Sequence, residues 1–243
     1  MIFLCFSSGD RYSVLKSCLY HLKNYGYETW YDYHELILGD KKREKNFEKA
    51  IQTCDFFIII YSKNFLNSPC AVNEEALIFA EAVRRNITIF PLLYNIRFSE
   101  LPYDIQNKIE NLIYNEINDS TGCIQSVNQM VVKILLQQMG YNEFDLTPSI
   151  NYPFIQKLQL EDEFLKCILS EYLNLSKDNF NARISFLYCI YKYIETNNLA
   201  ENIPIYYSQT ITYLSHYTKL NIPYNHKEII IAELVIINLL KLI

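Results

Sequence analysis

The chain has little of what several large classes of protein need. Its 243 residues carry a net charge of −5, so no surplus of lysine and arginine exists to displace counterions from a phosphate backbone, and nucleic acid is not an expected partner. Its seven cysteines are odd in number and never fall in a C-x-x-C pair, which argues against structural zinc and against a disulfide framework. The four histidines, His21, His34, His216 and His226, stand apart without metal-ligand spacing. No G-x-S-x-G elbow and no glycine-rich phosphate loop occurs. The opening "MIFLCFSSGDR" is apolar but lacks the basic flank, long apolar core and small-residue cleavage site of a signal peptide. Near the other end, "IIIAELVIINLLKLI" is interrupted by Glu233 and is shorter than the ~20 residues of a membrane span. The expectation is a soluble cytoplasmic protein with reduced, mostly buried thiols, no metal and no membrane partner.

Half of the residues are hydrophobic, enough to fill one large domain or one ordinary domain with a smaller companion. Two regimes are visible. Up to about Tyr141, short β-rich apolar runs alternate with amphipathic segments, the pattern of βα units around a parallel sheet. The spacing predicts strands over Ile2–Phe6, Tyr27–Tyr31, Phe56–Tyr61 and Ile87–Leu93, with a weaker one over Leu112–Ile117. It predicts helices over Tyr12–Asn24, Lys42–Thr53, Pro69–Arg85 and Ser126–Met139. The runs at Phe56 and Ile87 are apolar without alternation, so helices should cover both faces of the sheet. After "GYNEFDLTPSINYP" the pattern turns helical. Phe164, Ile168 and Leu169 are spaced for one helix face, as are Phe186, Leu187, Ile190 and Ile194, and the last apolar stretch reads as a buried helix. The domains drawn from this shift are 1–145 and 146–243.

Chemistry concentrates where strands end. The first strand runs into "SSGDR", placing Ser7, Ser8 and Gly9 at the carboxyl edge, where ligands of doubly wound sheets bind; a plain turn with a helix cap explains the same letters. The second strand leads into the charged loop "YHELILGDKKREK". The third leads into "SKNFLNSPCAVNEE", with two adjacent carboxylates, Glu74 and Glu75, near the start of a helix. An acid there complements the helix dipole by about 0.3–1 kcal/mol, and Pro69 after Ser68 fits a capped start.

"FLCFSSGDR", "WYDYHELILGD", "CDFFIIIYSKNFLNSPCAVNEE" and "ITIFPLLY", in this order and at these separations, resemble the successive boxes of a TIR (Toll/interleukin-1 receptor) domain over about the first 140 residues. The resemblance implies a flavodoxin-like α/β fold, a parallel five-stranded sheet with helices on both faces, here followed by a small all-α domain. The loop of about Asp32–Lys42 would correspond to the family's BB loop, a contact surface in TIR assemblies. One class of TIR domains only associates with other TIR domains. The other cleaves NAD+ between nicotinamide and ribose, using a glutamate near the start of the helix after the third strand. Laid on the family pattern, "SPCAVNE" puts Ser68 at the start, Ala71 at the small position and Glu74 at the catalytic one, while Cys70 replaces a frequent tryptophan. Helical periodicity gives the competing answer: with Val72, Ala76, Phe79, Ala80 and Val83 as the buried stripe, Glu74 points away and Glu75 flanks it.

By the same resemblance, Phe6, Ser7 and Ser8 would border the nicotinamide ribose, Trp30 and Asp32 would lie at the end of the neighbouring strand, and Arg43 would face the phosphates. NAD+ would be a consumed substrate, with no metal or bound cofactor required. The products would be nicotinamide with ADP-ribose or a cyclic ADP-ribose-type signal. The Asn-, Ile-, Lys- and Tyr-rich composition suits an AT-rich genome. The implied setting is bacterial antiphage defence, with self-association through the TIR domain and a separate effector or a phage-derived trigger as further partners. The alternative is a non-catalytic TIR scaffold.

Overall fold

The computed structural model describes residues 1–31, 50–138, 140, 150–158, 160–219 and 225–243. They fall into two compact units, one of Met1–Lys23 with Tyr27–Val127, the other of Asn24–Gly26 with Asn128–Ile243.

The first unit is built on a five-stranded sheet in the order β2-β1-β3-β4-β5, every pair parallel. Its strands are β1 (Ile2–Cys5), β2 (Thr29–Trp30), β3 (Phe56–Tyr61), β4 (Thr88–Tyr94) and β5 (Asn115–Ile117). Between them lie α1 (Lys16–Asn24), α2 (described over Ile51–Thr53), α3 (Lys63–Leu66), α4 (Pro69–Arg85) and α5 (Tyr103–Ile109). α6 (Ile124–Gln138) follows β5, and the boundary between the units falls inside it. The order places β2 on one side of β1 and β3 on the other, so the chain reverses its winding at β1. A crevice therefore opens at the carboxyl ends of β1 and β3, the usual ligand position of such sheets.

β3 and β4 are buried on both faces, which is why their apolar runs do not alternate. Phe3, Cys5, Phe57, Ile59 and Tyr61 belong to one core, together with Ala71, Ile78 and Ala82 of α4. Ile2, Leu4, Ile58 and Ile60, pointing to the opposite face, are equally buried. Each fully buried side chain of this size contributes about 1.5–3 kcal/mol relative to exposure.

β3 and α4 have the bounds expected from sequence. The Ser68 side chain accepts the Ala71 N–H, Pro69 occupies the first turn, and Asn86 closes the helix in the left-handed region at φ 55°. Elsewhere local structure intervenes. A 3-10 turn (Ser8–Asp10) and a π turn (Arg11–Leu15) precede α1, which delays its start to Lys16; Ser7 stands before that 3-10 turn without making a side-chain cap. α3 and α5 are short helices that the periodicity does not reveal. β2 is only two residues long.

The second unit is helical: α7 (Tyr152–Lys157), α8 (Glu163–Asn174), α9 (Phe180–Thr196), α10 (Ile205–Lys219) and α11 (His226–Leu240). α11 is buried almost all round, as its composition requires, with Glu233 inside. That carboxylate takes the Arg183 guanidinium at 2.5 Å and the Tyr172 hydroxyl at 2.6 Å. This pairing corrects the expected face of α8: Leu165, Leu169 and Tyr172 are buried there, and Phe164 is 55% exposed. The Tyr172 ring is apolar, and a buried acceptor for its hydroxyl lets it turn inward. The Asn24–Gly26 segment belongs to this unit. The Tyr25 hydroxyl donates to Asn128 and the Tyr25 carbonyl accepts from Thr210. A Cβ on Gly26 would lie 2.7 Å from the Cα of Tyr206, and its φ is +81°. Among the described residues, no helix is long and apolar enough to cross a membrane.

Candidate functional site

α4 carries two glutamates inward, and their surroundings differ. Its buried face consists of Ala71, Glu74, Glu75, Ile78 and Ala82, not the expected stripe, and Val83 is 84% exposed. Sequence periodicity points Glu74 away from the buried stripe and sets Glu75 at its flank. Here the sheet and α5 supply donors that let both turn in.

Glu75 is wholly buried and its two oxygens are committed. Oε1 accepts the Tyr61 hydroxyl at 3.0 Å, and Oε2 meets the Lys108 ammonium at 2.5 Å. The Lys108 Nζ also lies over the Phe79 ring, 5.7 Å from its centre. Burial, and then the Glu75 charge, push the Tyr61 phenol far above its usual range, so it stays a neutral donor. This arrangement ties α4 to β3 and α5.

Glu74 lies one position earlier, at the carboxyl end of β1. It is 6% exposed. The Cys5 thiol, from the last residue of β1, donates toward Oε2 at 3.7 Å and toward the Ala71 carbonyl at 3.7 Å. The Cys70 thiol, one helical turn before Glu74, donates toward Oε1 at 3.8 Å. Burial, reinforced by the Glu74 charge, holds the Cys5 thiol well above its ordinary value, so it faces the carboxylate as S–H. Cys70 itself is exposed, as are Cys167 and Cys189, while Cys5, Cys18, Cys54 and Cys123 are buried as expected; all seven are free.

Immediately past Cys5 the chain continues through Phe6 and Ser7, both buried, to the exposed Ser8. The structure thus brings Phe6–Ser8 to the strand end that Glu74 contacts. Trp30 pairs in register with Phe3 and stacks on its ring at 4.7 Å and 8°, two residues deeper than Cys5. It supports this end of the sheet from within the core. Asp32, Arg43 and the 32–42 loop lie outside the described residues. Among the described residues, no group of three or more His, Cys, Asp or Glu side chains is arranged to hold a metal.

Sequence reasoning missed Cys5, Lys108 and Asp10. Cys5 sits inside an apolar strand and reads as core. Lys108 belongs to α5, itself unexpected. Asp10 reads as a turn residue, yet it is 2% exposed and accepts from Ser62 and Asn64.

The chain matches the TIR domain family over residues 2–122. Residues 2–122 are a TIR domain. A curated relative, the 2' cyclic ADP-D-ribose synthase BtTIR of Bacteroides thetaiotaomicron, is 26% identical over 99 residues, 41% of this chain and 34% of that protein. The match therefore spans about a third of the relative's length. Among solved structures, the TIR domain of the Toll-related receptor TRR-2 from Hydra magnipapillata is similar at a TM-score of 0.42 and 18% identity, over 57% of this chain and 97% of that one. The matched segment ends at Gly122, two residues before α6, so the TIR domain holds the whole sheet and the helical unit lies largely beyond it.

Proposed function

We propose that the TIR domain cleaves NAD+ at the nicotinamide–ribose bond, with Glu74 as the acting carboxylate. The observation that carries this reading is the site of Glu74. A buried carboxylate stands at the carboxyl edge of β1 beside Phe6–Ser8, while Glu75 is committed to Lys108 and Tyr61. The name of the bacterial relative, a cyclic ADP-ribose synthase, supports the same class of substrate.

The chemistry follows from charge. The glycosidic C–N bond breaks, its electron pair neutralises the nicotinamide ring, and positive charge develops on the ribosyl centre. A carboxylate hydrogen-bonded to the ribose hydroxyls stabilises that charge where water is excluded. The neutral Cys5 thiol steadies Oε2 without adding charge. Attack by water, with loss of a proton, gives ADP-ribose. Attack by a nucleophilic atom of the same molecule gives a cyclic product. Phe6, Ser7 and Ser8 border the ribose, Trp30 backs them, and Asp32 and Arg43 are assigned to the neighbouring edge and the phosphates. NAD+ is substrate and no resident cofactor or metal enters the reaction. The setting proposed is the bacterial cytoplasm, in antiphage defence, with self-association through the TIR domain and an outside trigger or effector.

The test is incubation of purified protein with NAD+ at low and high protein concentration, with products separated chromatographically. Nicotinamide release by wild type, lost in Glu74→Gln and retained in Glu75→Gln, is the expected result. NAD+ left intact at every concentration would favour a scaffold that recruits partners through TIR contacts.

A further inference from the structure

The crevice between β1 and β3 contains a buried carboxylate that the proposed reaction does not use. Asp10 ends the 3-10 turn after Ser8 and is 2% exposed. Its Oδ2 accepts the Ser62 hydroxyl at 2.5 Å and its Oδ1 accepts the Asn64 amide at 2.7 Å. Both donors come from the segment after β3. The approach is close on the backbone side as well: a Cβ on Gly9 would lie 2.9 Å from Cγ and Nδ2 of Asn64. Gly9 and Asp10 therefore seat the β1 edge directly on the β3 edge.

From there a chain of hydrogen bonds runs to the start of α4, the helix that carries the acid. Ser62, held by Asp10, accepts the Phe65 N–H at 2.9 Å and caps α3. The Phe65 carbonyl accepts the Ser68 N–H at 2.9 Å. Ser68 in turn caps α4 through the Ala71 N–H at 3.3 Å, and its carbonyl accepts the Val72 N–H at 3.1 Å. Glu74 is two residues further on. In the other direction, the Asp10 N–H donates to the Ser7 carbonyl at 2.9 Å.

We infer that Asp10 is a positioning residue: it clamps the segment that launches α4 to the Phe6–Ser8 edge, and so fixes Glu74 relative to the residues that border the ribose. The inference rests on the NAD+-cleavage reading for its catalytic consequence, and on the hydrogen bonds alone for the clamp. A carboxylate suits the place because both of its oxygens accept. An amide at position 10 has one acceptor: it either turns its N–H₂ toward that of Asn64 or turns it toward Ser62 and displaces the Ser62 proton, so in both orientations one of the two charge-assisted bonds is lost and the other becomes neutral. An acid misplaced by even ~1 Å costs up to about 100-fold in rate.

The test compares wild type, Asp10→Asn, and the exchanged pair Asp10→Asn with Asn64→Asp, which restores one donor and one acceptor. The expected kcat of Asp10→Asn is about 10- to 100-fold down with KM changed far less, and the exchanged pair recovers most of the loss. Amide hydrogen exchange over residues 62–72 is measured on the same proteins. It should quicken in Asp10→Asn and slow again in the exchanged pair, whether or not NAD+ is cleaved. Unchanged exchange in Asp10→Asn would overturn the clamp. Faster exchange with wild-type kcat would overturn its role in positioning. If wild type leaves NAD+ intact, the function reading falls and the exchange data alone decide the clamp.

Discussion

The two units bury a glutamate in the same way. In the TIR domain Glu75 takes the Lys108 ammonium and the Tyr61 hydroxyl. In the helical unit Glu233 takes the Arg183 guanidinium and the Tyr172 hydroxyl, with the guanidinium 4.4 Å from the Tyr172 ring centre. In both, burial and the neighbouring carboxylate raise the phenol far above its usual range, so each tyrosine stays a donor. A cation and a phenol at one carboxylate is the arrangement by which a charge is kept inside a fold without serving chemistry. Glu74, adjacent to Glu75, takes the Cys5 thiol at one oxygen and the Cys70 thiol at the other, and thiols are weak donors.

The strongest way to break the parallel is in the helical unit. Arg183→Met leaves the Glu233 charge buried with only Tyr172, and the expected loss is about 3–5 kcal/mol. Urea denaturation followed by hydrogen exchange in α8, α9 and α11 would read it. A loss below ~1 kcal/mol would mean that Glu233 finds water or a proton when its cation is removed.

Glu74→Gln comes next and should leave stability nearly untouched. Its expected cost is in rate, about 10²–10³ in nicotinamide release, the scale of losing one preorganised electrostatic contact. Should the same change instead destabilise the TIR domain by several kcal/mol and spare the rate, Glu74 would belong with Glu75 and Glu233 as a structural acid.

Lys108→Met sharpens the comparison because Lys108 is a third exposed at its side chain, unlike Arg183. Solvent already screens the pair, and Tyr61 still holds the other oxygen. The expected loss is about 1–3 kcal/mol, smaller than for Arg183→Met. Equal losses in the two variants would show that partial exposure of the cation does not soften a buried carboxylate.

The contrast also shows what the sequence could say. The order of apolar runs yields the parallel sheet, because a strand covered on both faces must be apolar throughout, as in "FFIIIY" of β3. α4 is legible to the residue because Ser68, Pro69 and Asn86 are local signals. α3 and α5 are not, since four- and seven-residue helices carry no periodicity and exist through contacts such as Asp10 with Ser62. Periodicity misjudged Glu74 because it treats a polar side chain as outward, whereas a partner distant in sequence decides the matter; Glu75, which it set at the flank of the buried stripe, is wholly buried. The TIR family spacing, which does not depend on the helical wheel, pointed to Glu74.

The smallest effect concerns a fourth buried glutamate. Glu228 caps α11 by accepting the Asn225 N–H at 2.9 Å and also accepts from Asn128 at 3.1 Å. Burial pushes its carboxyl above the ordinary range, and these two hydrogen bonds only partly offset that. The folded state therefore holds this proton more tightly than the unfolded one. Its contribution is fully present below the ordinary carboxyl pKa of about 4.3, and it is lost as pH rises through the raised folded value. In Glu228→Gln that loss is absent. The stability of wild type relative to the variant, from urea midpoints, should thus fall as pH rises from about 4 toward 7. The opposite trend would mean that the ionised cap outweighs the cost of burial, and Glu228 would then join Glu75 and Glu233 as a charge the fold prefers to keep.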